Sequence, residues 1–464
     1  MLEKFRKRFI GDSAFYHAVI VLIIPVLVQN CISNFVNLLD NLMVGALNDE
    51  AMSGVTIANQ LIFVFNLCIF GGQAGPGIFG AQFYGAGDTE GLRCTFRIKV
   101  LLSVILVTVA VTVFTVFPKP LIGLYLRGDG DTARAEAMLG YSLSYLKIIL
   151  LSLPAFALSQ AYAGTLRETG ETRLPMTASL ASVFTNALFN YLLIFGKLGF
   201  KPLGVRGAAI ATVIARYVEL TIIMIGTHAK NERHAFIRGA YNLFRIPGGI
   251  LKNVTRSGFP LLANEALWSF GMSTLTAVYS LCGLTVVSAL SITSTISNLF
   301  NVFAFSMGTA VAIMIGQALG AKKYEYAKEI MWKLIGFAVR ISLCTCTALL
   351  CTAGVLPKIY TGISEESQKM SSSLLRILAC IMPLDAVVNC AYFTLRSGGK
   401  TGITFLFDCG FTWIVMIPAA FLAVKVFHAD IYVAYISVNS TVLIKCVLGF
   451  LLLNKGVWVQ NITD

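Results

Sequence analysis

The sequence predicts an all-α polytopic membrane protein whose twelve transmembrane helices form two pseudo-symmetric six-helix lobes. Only 13% of the 464 residues are charged and 56% are hydrophobic, whereas soluble domains carry about 25% charged residues. Apolar runs close to the ~20 residues that a helix needs to cross the hydrocarbon layer recur along the whole chain. A set of short motifs also occurs twice, once in each half. These observations favour many spans in a duplicated arrangement.

The apolar runs are continuous, as at 100–117 and 411–424. A transmembrane barrel would instead show alternating segments of about ten residues, so the spans are predicted to be helices. The predicted spans are 14–38, 51–74, 96–117, 138–160, 174–196, 207–227, 258–281, 285–312, 334–356, 371–393, 403–424 and 431–453.

Basic residues set the predicted orientation. The 36 Lys and Arg exceed the 23 Asp and Glu, and in a soluble protein this net charge of +13 would suggest nucleic-acid binding. Here the basic residues are concentrated in the even-numbered loops, as with Arg93, Arg97 and Lys99. The positive-inside rule then predicts a multi-pass cell-membrane protein with both termini in the cytoplasm. Membrane lipids are expected partners, nucleic acid is not, and the chain is expected to be a monomer.

An internal repeat predicts how the spans are grouped. The first part of each half matches at an offset of 235 residues and the later part at an offset of 229. The matches are Pro25 with Pro260, Phe65-Asn66 with Phe300-Asn301, Gln82 with Gln317, Gly85-Ala86 with Gly320-Ala321, Pro154 with Pro383, and Leu166-Arg167-x-x-Gly170-x-Thr172 with Leu395-Arg396-x-x-Gly399-x-Thr401.

The repeat predicts an N-terminal six-helix lobe at 1–227, a basic cytoplasmic linker at 228–256 and a C-terminal six-helix lobe at 257–464. Because six is an even number, the two copies enter the membrane in the same orientation. An axis along the membrane normal should therefore relate them, with a cavity between them.

Ionisable side chains at membrane depth are candidate functional residues because each costs several kcal/mol unless it is paired or faces water. Asp40, Glu265 and Asp385 are the strongest candidates among the acids in predicted spans, and Asp408 is a weaker candidate. Asp40 and Asp385 are accompanied by polar residues at helical spacing. Glu265 lies one turn before Trp268, and a carboxylate beside an aromatic ring suits an organic cation. The predicted substrate cavity comprises Asn34, Asn37, Gln60, Trp268, Met272, Asn298, Asn301, Asn389 and Tyr392. The alternative is that these side chains only form hydrogen bonds between packed helices.

No Gly-x-x-x-x-Gly-Lys-Ser/Thr run is present in the sequence, so ATP is not the expected energy source. An ion gradient can drive transport if a carboxylate is exposed to each side of the membrane in turn, since its ion-bound and ion-free forms favour different conformations. The sequence therefore predicts no enzyme activity and no cofactor, with a sodium ion or a proton as the coupling ion.

The chain resembles the multidrug and toxic compound extrusion (MATE) transporters over nearly its whole length. The resemblance rests on the duplicated Leu-Arg-x-x-Gly-x-Thr motif and on four further motifs. These are Asp40-x-x-Met-Val-Gly45, Gly80-Ala-Gln-x-x-Gly85-Ala, Gly316-Gln-Ala-x-Gly320-Ala and Asn186-x-x-x-Asn190-Tyr-x-Leu-Ile-Phe-Gly196. It implies a V-shaped central cavity, alternating access, and sodium- or proton-driven export of amphipathic, often cationic compounds.

The resemblance also suggests roles for individual residues. By the resemblance, Asp40 matches the family's first-span acid. Asp385 matches the tenth-span acid that one branch uses for cation binding, and Glu265 lies in the seventh span, where that branch also has an acid, so both are further candidates for cation coupling. Proton-coupled members carry a fifth-span Asp where this chain has Asn190. We therefore favour a sodium site in which Asp40, Asn186 and Asn190 supply oxygen ligands, since hard cations prefer such donors. Protons remain the alternative.

Three other functions are considered. A lipid or lipid-linked oligosaccharide flippase would need a basic cavity for phosphate groups, whereas the mid-span charges are mainly acidic. A membrane enzyme would need clustered acids or histidines, yet the four histidines are dispersed. A channel would need a filter-like loop.

Overall fold

Every regular element in the described part of the chain is a helix. The computed structural model describes residues 8–126, 132–241, 246–360 and 363–463, without the side chains of 36–39, 41, 42, 132 and 284. We label the helices α1 to α12 after the twelve predicted spans, each of which lies on a helix. The helices are α1 Ser13–Gly45, α2 Asp49–Ala86, α3 Thr89–Val116, α4 Thr132–Ile149 with Ser152–Glu168, α5 Arg173–Phe195, α6 Val205–Ala229, α7 Gly248–Ser280, α8 Leu284–Gly320, α9 Tyr324–Thr352, α10 Glu365–Ser397, α11 Thr401–Val426 and α12 Ile431–Asn454.

Within the described residues, ten of these helices are long and apolar enough to cross a membrane, and the bent pair α4 makes an eleventh span. The remaining helix, α7, has 33 residues. Its sequence contains Asn264, Glu265 and Ser269, which lower its hydropathy. Polar side chains on a helix of this length need partners other than lipid, so α7 is expected to face a polar part of the protein.

The two segments of α4 are bent by 51° at Leu150 and Leu151. Pro154 has no backbone N–H to donate to the carbonyl of Leu150, which instead accepts a shorter-range bond from Leu153 N at 3.2 Å. A proline in a helix commonly produces a kink of this kind.

The helices carry large apolar side chains that the described part of the protein leaves mostly uncovered. Phe184, Phe259 and Ile414 are 67%, 70% and 71% exposed. Burying a side chain of this size in an apolar medium stabilises a protein by roughly 1.5–3 kcal/mol. These side chains therefore require lipid, in agreement with the predicted membrane location.

By internal contacts the chain divides into two compact units. The N unit consists of residues 28–80 and 89–252, and the C unit of the described residues in 1–27, 81–88 and 253–464. The first half of α1 and the end of α2 thus belong to the C unit. The lobe boundaries at 227 and 257 remain a prediction.

Part of the predicted linker is packed against the N unit. Arg97 donates to the carbonyls of Ala240 (2.9 Å) and Gly239 (3.0 Å), and Arg93 donates to that of Phe236 (3.3 Å). Phe236 is buried against Phe96. The segment 235–240 is therefore held on α3 by charge-assisted hydrogen bonds to its backbone.

Two glycines of the repeated motifs allow backbones to touch in the C unit. A Cβ atom on Gly320 would lie 1.9 Å from the carbonyl oxygen of Gln82, and one on Gly85 would lie 2.0 Å from that of Gln317. The contact is thus made twice by equivalent residues of the repeat. Gln82 also donates through its amide to Ser397 O at 2.9 Å, which anchors the crossing.

Replacing Gly320 with alanine is expected to destabilise the protein by about 3 kcal/mol, since the new methyl group meets backbone that cannot rotate away. Thermal unfolding of the purified protein in detergent measures the effect. Gly402→Ala is the matched control, because a Cβ at Gly402 meets nothing within 4 Å. Equal unfolding temperatures for the two variants would show that α2 and α8 can separate here without loss of stability.

Candidate functional site: two buried polar clusters

In the N unit, Asp40 of α1 lies beside two amides of α5. Asn190 Nδ2 donates to Asp40 Oδ1. Once the Asn186 amide is oriented so that its oxygen accepts from Thr212 Oγ1 at 3.2 Å, its nitrogen lies 2.8 Å from Asp40 Oδ1 and 3.2 Å from Oδ2. The i, i+4 spacing of the two asparagines places them on one face of α5. The structure therefore brings together the three residues predicted to bind the coupling ion.

The amide of Asn190 is only partly satisfied. Its Oδ1 is buried and has no hydrogen-bond partner among the described residues. A buried polar atom without a partner costs about 1–3 kcal/mol, so an added donor or cation at this oxygen would be stabilising. In the present arrangement the amide nitrogens face Asp40. A sodium ion at the carboxylate would require amide oxygens to turn toward it.

Further charged residues continue from Asp40 through the N unit. Arg216 acts electrostatically on Asp40 and forms an ion pair with Glu219, its neighbour on α6, at 2.9 Å. Arg167 donates to Gln29 Oε1 at 3.2 Å. Arg216 thus lies between the carboxylates of Asp40 and Glu219, and this arrangement of opposite charges limits the net charge within the unit.

Lys99 is predicted in a cytoplasmic loop, but this prediction is wrong because the residue is 1% exposed within α3. Its amine lies 2.5 and 2.7 Å from the two oxygens of Glu168 and 3.0 Å from Thr165 Oγ1. A Cβ on Gly80 would approach Glu168 Oε2 to 2.1 Å, so glycine is needed to make room for the carboxylate. This is a buried, fully paired ion pair.

In the C unit, Asp385 and Asn389 of α10 line a cavity of about 30 Å³ together with Asn301, Ser342 and Thr345. This volume is close to that of one water molecule. Asn389 Oδ1 is buried without a hydrogen-bond partner among the described residues. Asn301, Asp385 and Asn389, three predicted site residues, thus share one small cavity.

Next to this cavity lies a group that we call the C-unit charge cluster: Glu265, Asp385, Arg396, Asp408 and Lys445. Lys445 Nζ is 2.7 Å from Asp408 Oδ1, and Arg396 Nη1 is 3.8 Å from Glu265 Oε1. Lys445 also acts electrostatically on Asp385. The cluster joins α7, α10, α11 and α12.

Asn264 is the central hydrogen-bonding residue of this region. Its amide nitrogen donates to Asp408 Oδ2 at 3.1 Å and lies 3.3 Å from the Tyr392 hydroxyl, while its oxygen accepts from Cys409 N at 3.3 Å. Asp408 lies in one of three π-helical turns of α11, Leu406–Gly410. Such turns often occur at functional sites because they redirect side chains.

Asp408 belongs to the cluster, although the sequence analysis places it below the other three acids. The sequence analysis does not identify Asn264 or Lys445 as site residues. The internal repeat contains a signal for Lys445. The offset of 229 aligns Thr212-Val213-x-x-Arg216 with Thr441-Val442-x-x-Lys445. In both units a basic residue at the same repeat position acts on a carboxylate, Asp40 in one and Asp385 in the other.

The remaining predicted cavity residues are more dispersed. Gln60 and Asn298 are exposed and Asn34 is half-buried. Trp268 and Met272 of α7 each expose 36% of their surface. The side chain of Asn37 lies outside the described residues.

Long apolar helices with a polar cluster in each unit define a multi-pass membrane protein. The chain belongs to the MatE family, whose model matches it twice, at residues 25–192 and 260–422. The two matches begin at Pro25 and Pro260, the first pair of the internal repeat. The predicted fold class is thereby confirmed: twelve helices in two six-helix halves.

Named relatives agree with this assignment. The probable multidrug resistance protein NorM of Thermotoga maritima is 24% identical, over 95% of this chain and 93% of that protein. The multidrug resistance protein NorM of Vibrio cholerae is 25% identical, over 86% and 85%.

Solved structures agree in fold. The Vibrio cholerae MATE transporter VcmN superposes with a TM-score of 0.85 at 19% identity, covering 97% of this chain and 98% of that one. A MOP superfamily transporter from Pyrococcus furiosus gives 0.83 at 22% identity, covering 97% and 96%.

Proposed function

We propose that this protein exports small organic cations across the cell membrane in exchange for an inward-moving sodium ion or proton. The observation that carries the proposal is the half-buried Asp40 carboxylate, which the buried amides of Asn186 and Asn190 contact. A titratable or cation-binding group in a membrane helix is a coupling-site candidate by default.

Coupling follows from the two forms of Asp40. The free carboxylate is stabilised by the amide hydrogens of Asn186 and Asn190. A bound proton or sodium ion replaces those interactions and thereby favours a different packing of α1 against α5. An ion that binds one conformation more tightly shifts the equilibrium by that difference in affinity, which is sufficient to drive alternating access.

The C-unit charge cluster is the proposed contact for the exported compound. Its carboxylates attract a cation, and the rings of Tyr392, Phe393, Phe407 and Phe411 lie in the same region. Aromatic faces bind organic cations through their quadrupoles. The small cavity at Asp385 is water-sized, so the bulk of a drug would lie outside it.

The relatives named NorM support export of drugs as the physiological role, and we infer that this chain also acts on drug-like compounds. We further propose that both termini are cytoplasmic and that the chain works as a monomer. These features complete the picture of a secondary exporter in the cell membrane.

Efflux of ethidium from proteoliposomes tests the proposal. A sodium gradient and a proton gradient are each imposed alone on vesicles containing the purified protein. Efflux driven by one of them is expected and identifies the coupling ion. Vesicles without protein are the control. Efflux with neither gradient would contradict the antiport proposal and favour a lipid or lipid-linked oligosaccharide flippase.

A further inference from the structure

The C-unit charge cluster has a definite sum of formal charges. Three carboxylates, on Glu265, Asp385 and Asp408, face two basic groups, on Arg396 and Lys445. With all five ionised, the cluster carries one net negative charge. Lys445 supplies one of the two positive charges. It forms a 2.7 Å ion pair with Asp408 and also acts electrostatically on Asp385.

Lys445 is held firmly in this position. The residue is 8% exposed, and its ammonium lies 5.4 and 5.7 Å from the ring centroids of Phe407 and Phe411. The second oxygen of Asp408 accepts from Asn264 at 3.1 Å. Since both Asp408 oxygens already have partners, an incoming cation would compete with Lys445 for this carboxylate.

The three carboxylates differ in accessibility. Asp385 is exposed, whereas the Glu265 and Asp408 side chains are 25% and 18% exposed. Asp385 is therefore the acid that an incoming cation meets first. Glu265 and Asp408 are already paired with Arg396 and Lys445 of the same unit.

We propose that Lys445 determines the charge of the organic cation that the C unit accepts, so that the native cluster selects monocations over dications. The inference rests on the proposed function and specifies its substrate class. An uncompensated charge is costly where it is partly buried, as Asp408 and Lys445 are, so the best-bound cargo is the one that brings the total charge to zero. Removing Lys445 leaves two net negative charges and should shift the preference to dications.

Ethidium and propidium are suitable probes. They share a phenanthridinium ring, but ethidium is a monocation and propidium a dication. Their fluorescence rises on binding, and titration of the purified protein in detergent at constant ionic strength gives both affinities without requiring transport. Constant ionic strength matters because salt screens exposed charges.

Lys445→Met should change the ratio of propidium to ethidium affinity by at least about tenfold in favour of propidium, the scale expected for one unit charge at a partly buried site. Asp408→Asn removes one negative charge and should weaken ethidium binding about tenfold. The double variant Lys445→Met with Asp408→Asn returns the cluster to one negative charge, so its ratio should match the unchanged protein. Lys455→Met is the matched control, because Lys455 is exposed just after α12.

The outcomes separate this inference from the proposed function. An unchanged dye ratio in Lys445→Met, or a double variant that fails to restore the native ratio, overturns the charge rule while leaving cation export intact. Should Lys445→Met not fold, unaltered ethidium affinity in Asp408→Asn overturns the rule. If the unchanged protein binds neither dye, the proposed substrate class fails first, and the charge rule with it.

Discussion

Replacing Asp40 with asparagine is expected to reduce gradient-driven ethidium efflux at least about a hundredfold. Two opposite unit charges 4 Å apart attract each other by about 4 kcal/mol at an effective dielectric constant of 20. Each 1.4 kcal/mol corresponds to a tenfold change in affinity, so loss of the carboxylate abolishes useful binding of the coupling ion. Initial efflux rates from proteoliposomes with matched protein content measure the effect.

Asp49→Asn is the control for this experiment. Asp49 is an exposed acid at the start of α2 in the same unit, and its replacement should leave efflux unchanged. Asparagine is nearly isosteric with aspartate, so Asp40→Asn should unfold at close to the native temperature. Normal transport by Asp40→Asn would show that the coupling ion binds elsewhere.

Replacing Lys99 with methionine is expected to destabilise the protein by about 3–5 kcal/mol, because Glu168 would remain as a buried charge without its ammonium partner. The thermal unfolding temperature of the purified protein should fall accordingly. Adding Glu168→Gln to Lys99→Met removes the unpaired charge and should recover most of the loss. A double-mutant cycle then gives the coupling energy of the pair.

The exposed ion pair Lys328–Glu325 provides the comparison for Lys99. Its side chains are 45% and 88% exposed, and exposed pairs of this kind contribute at most about 1 kcal/mol. Lys328→Met should therefore have little effect on unfolding. If Lys99→Met were equally mild, Glu168 would have to find another partner or take up a proton.

Much of the fold is predictable because the signal in the sequence is strong. Continuous apolar runs define helices through hydropathy alone, and a duplicated sequence shows itself by comparison with its own other half. The bend in α4 is harder to predict from the sequence. Pro154 indicates where a kink can form, but the angle of 51° depends on how the two segments pack.

The candidate site is predictable only in part. Asp40, Asn186 and Asn190 can be identified because polar residues at helical spacing stand out in an apolar span. Lys445 does not stand out, because it is a single charged residue directly flanked by the apolar residues Leu443, Ile444 and Cys446. Its partner Asp408 lies on another helix at 2.7 Å, and such a contact exists only in the folded protein.

The balance of charges within the N unit has a consequence for its electrical behaviour. In the N unit, Asp40, Glu168 and Glu219 offset Lys99, Arg167 and Arg216. Moving one elementary charge through the full membrane potential involves about 2.3 kcal/mol per 100 mV. A neutral set of charges does no such net work when it shifts. The membrane voltage would therefore act on the ion bound at Asp40, leaving the N-unit helices around it nearly indifferent to the field.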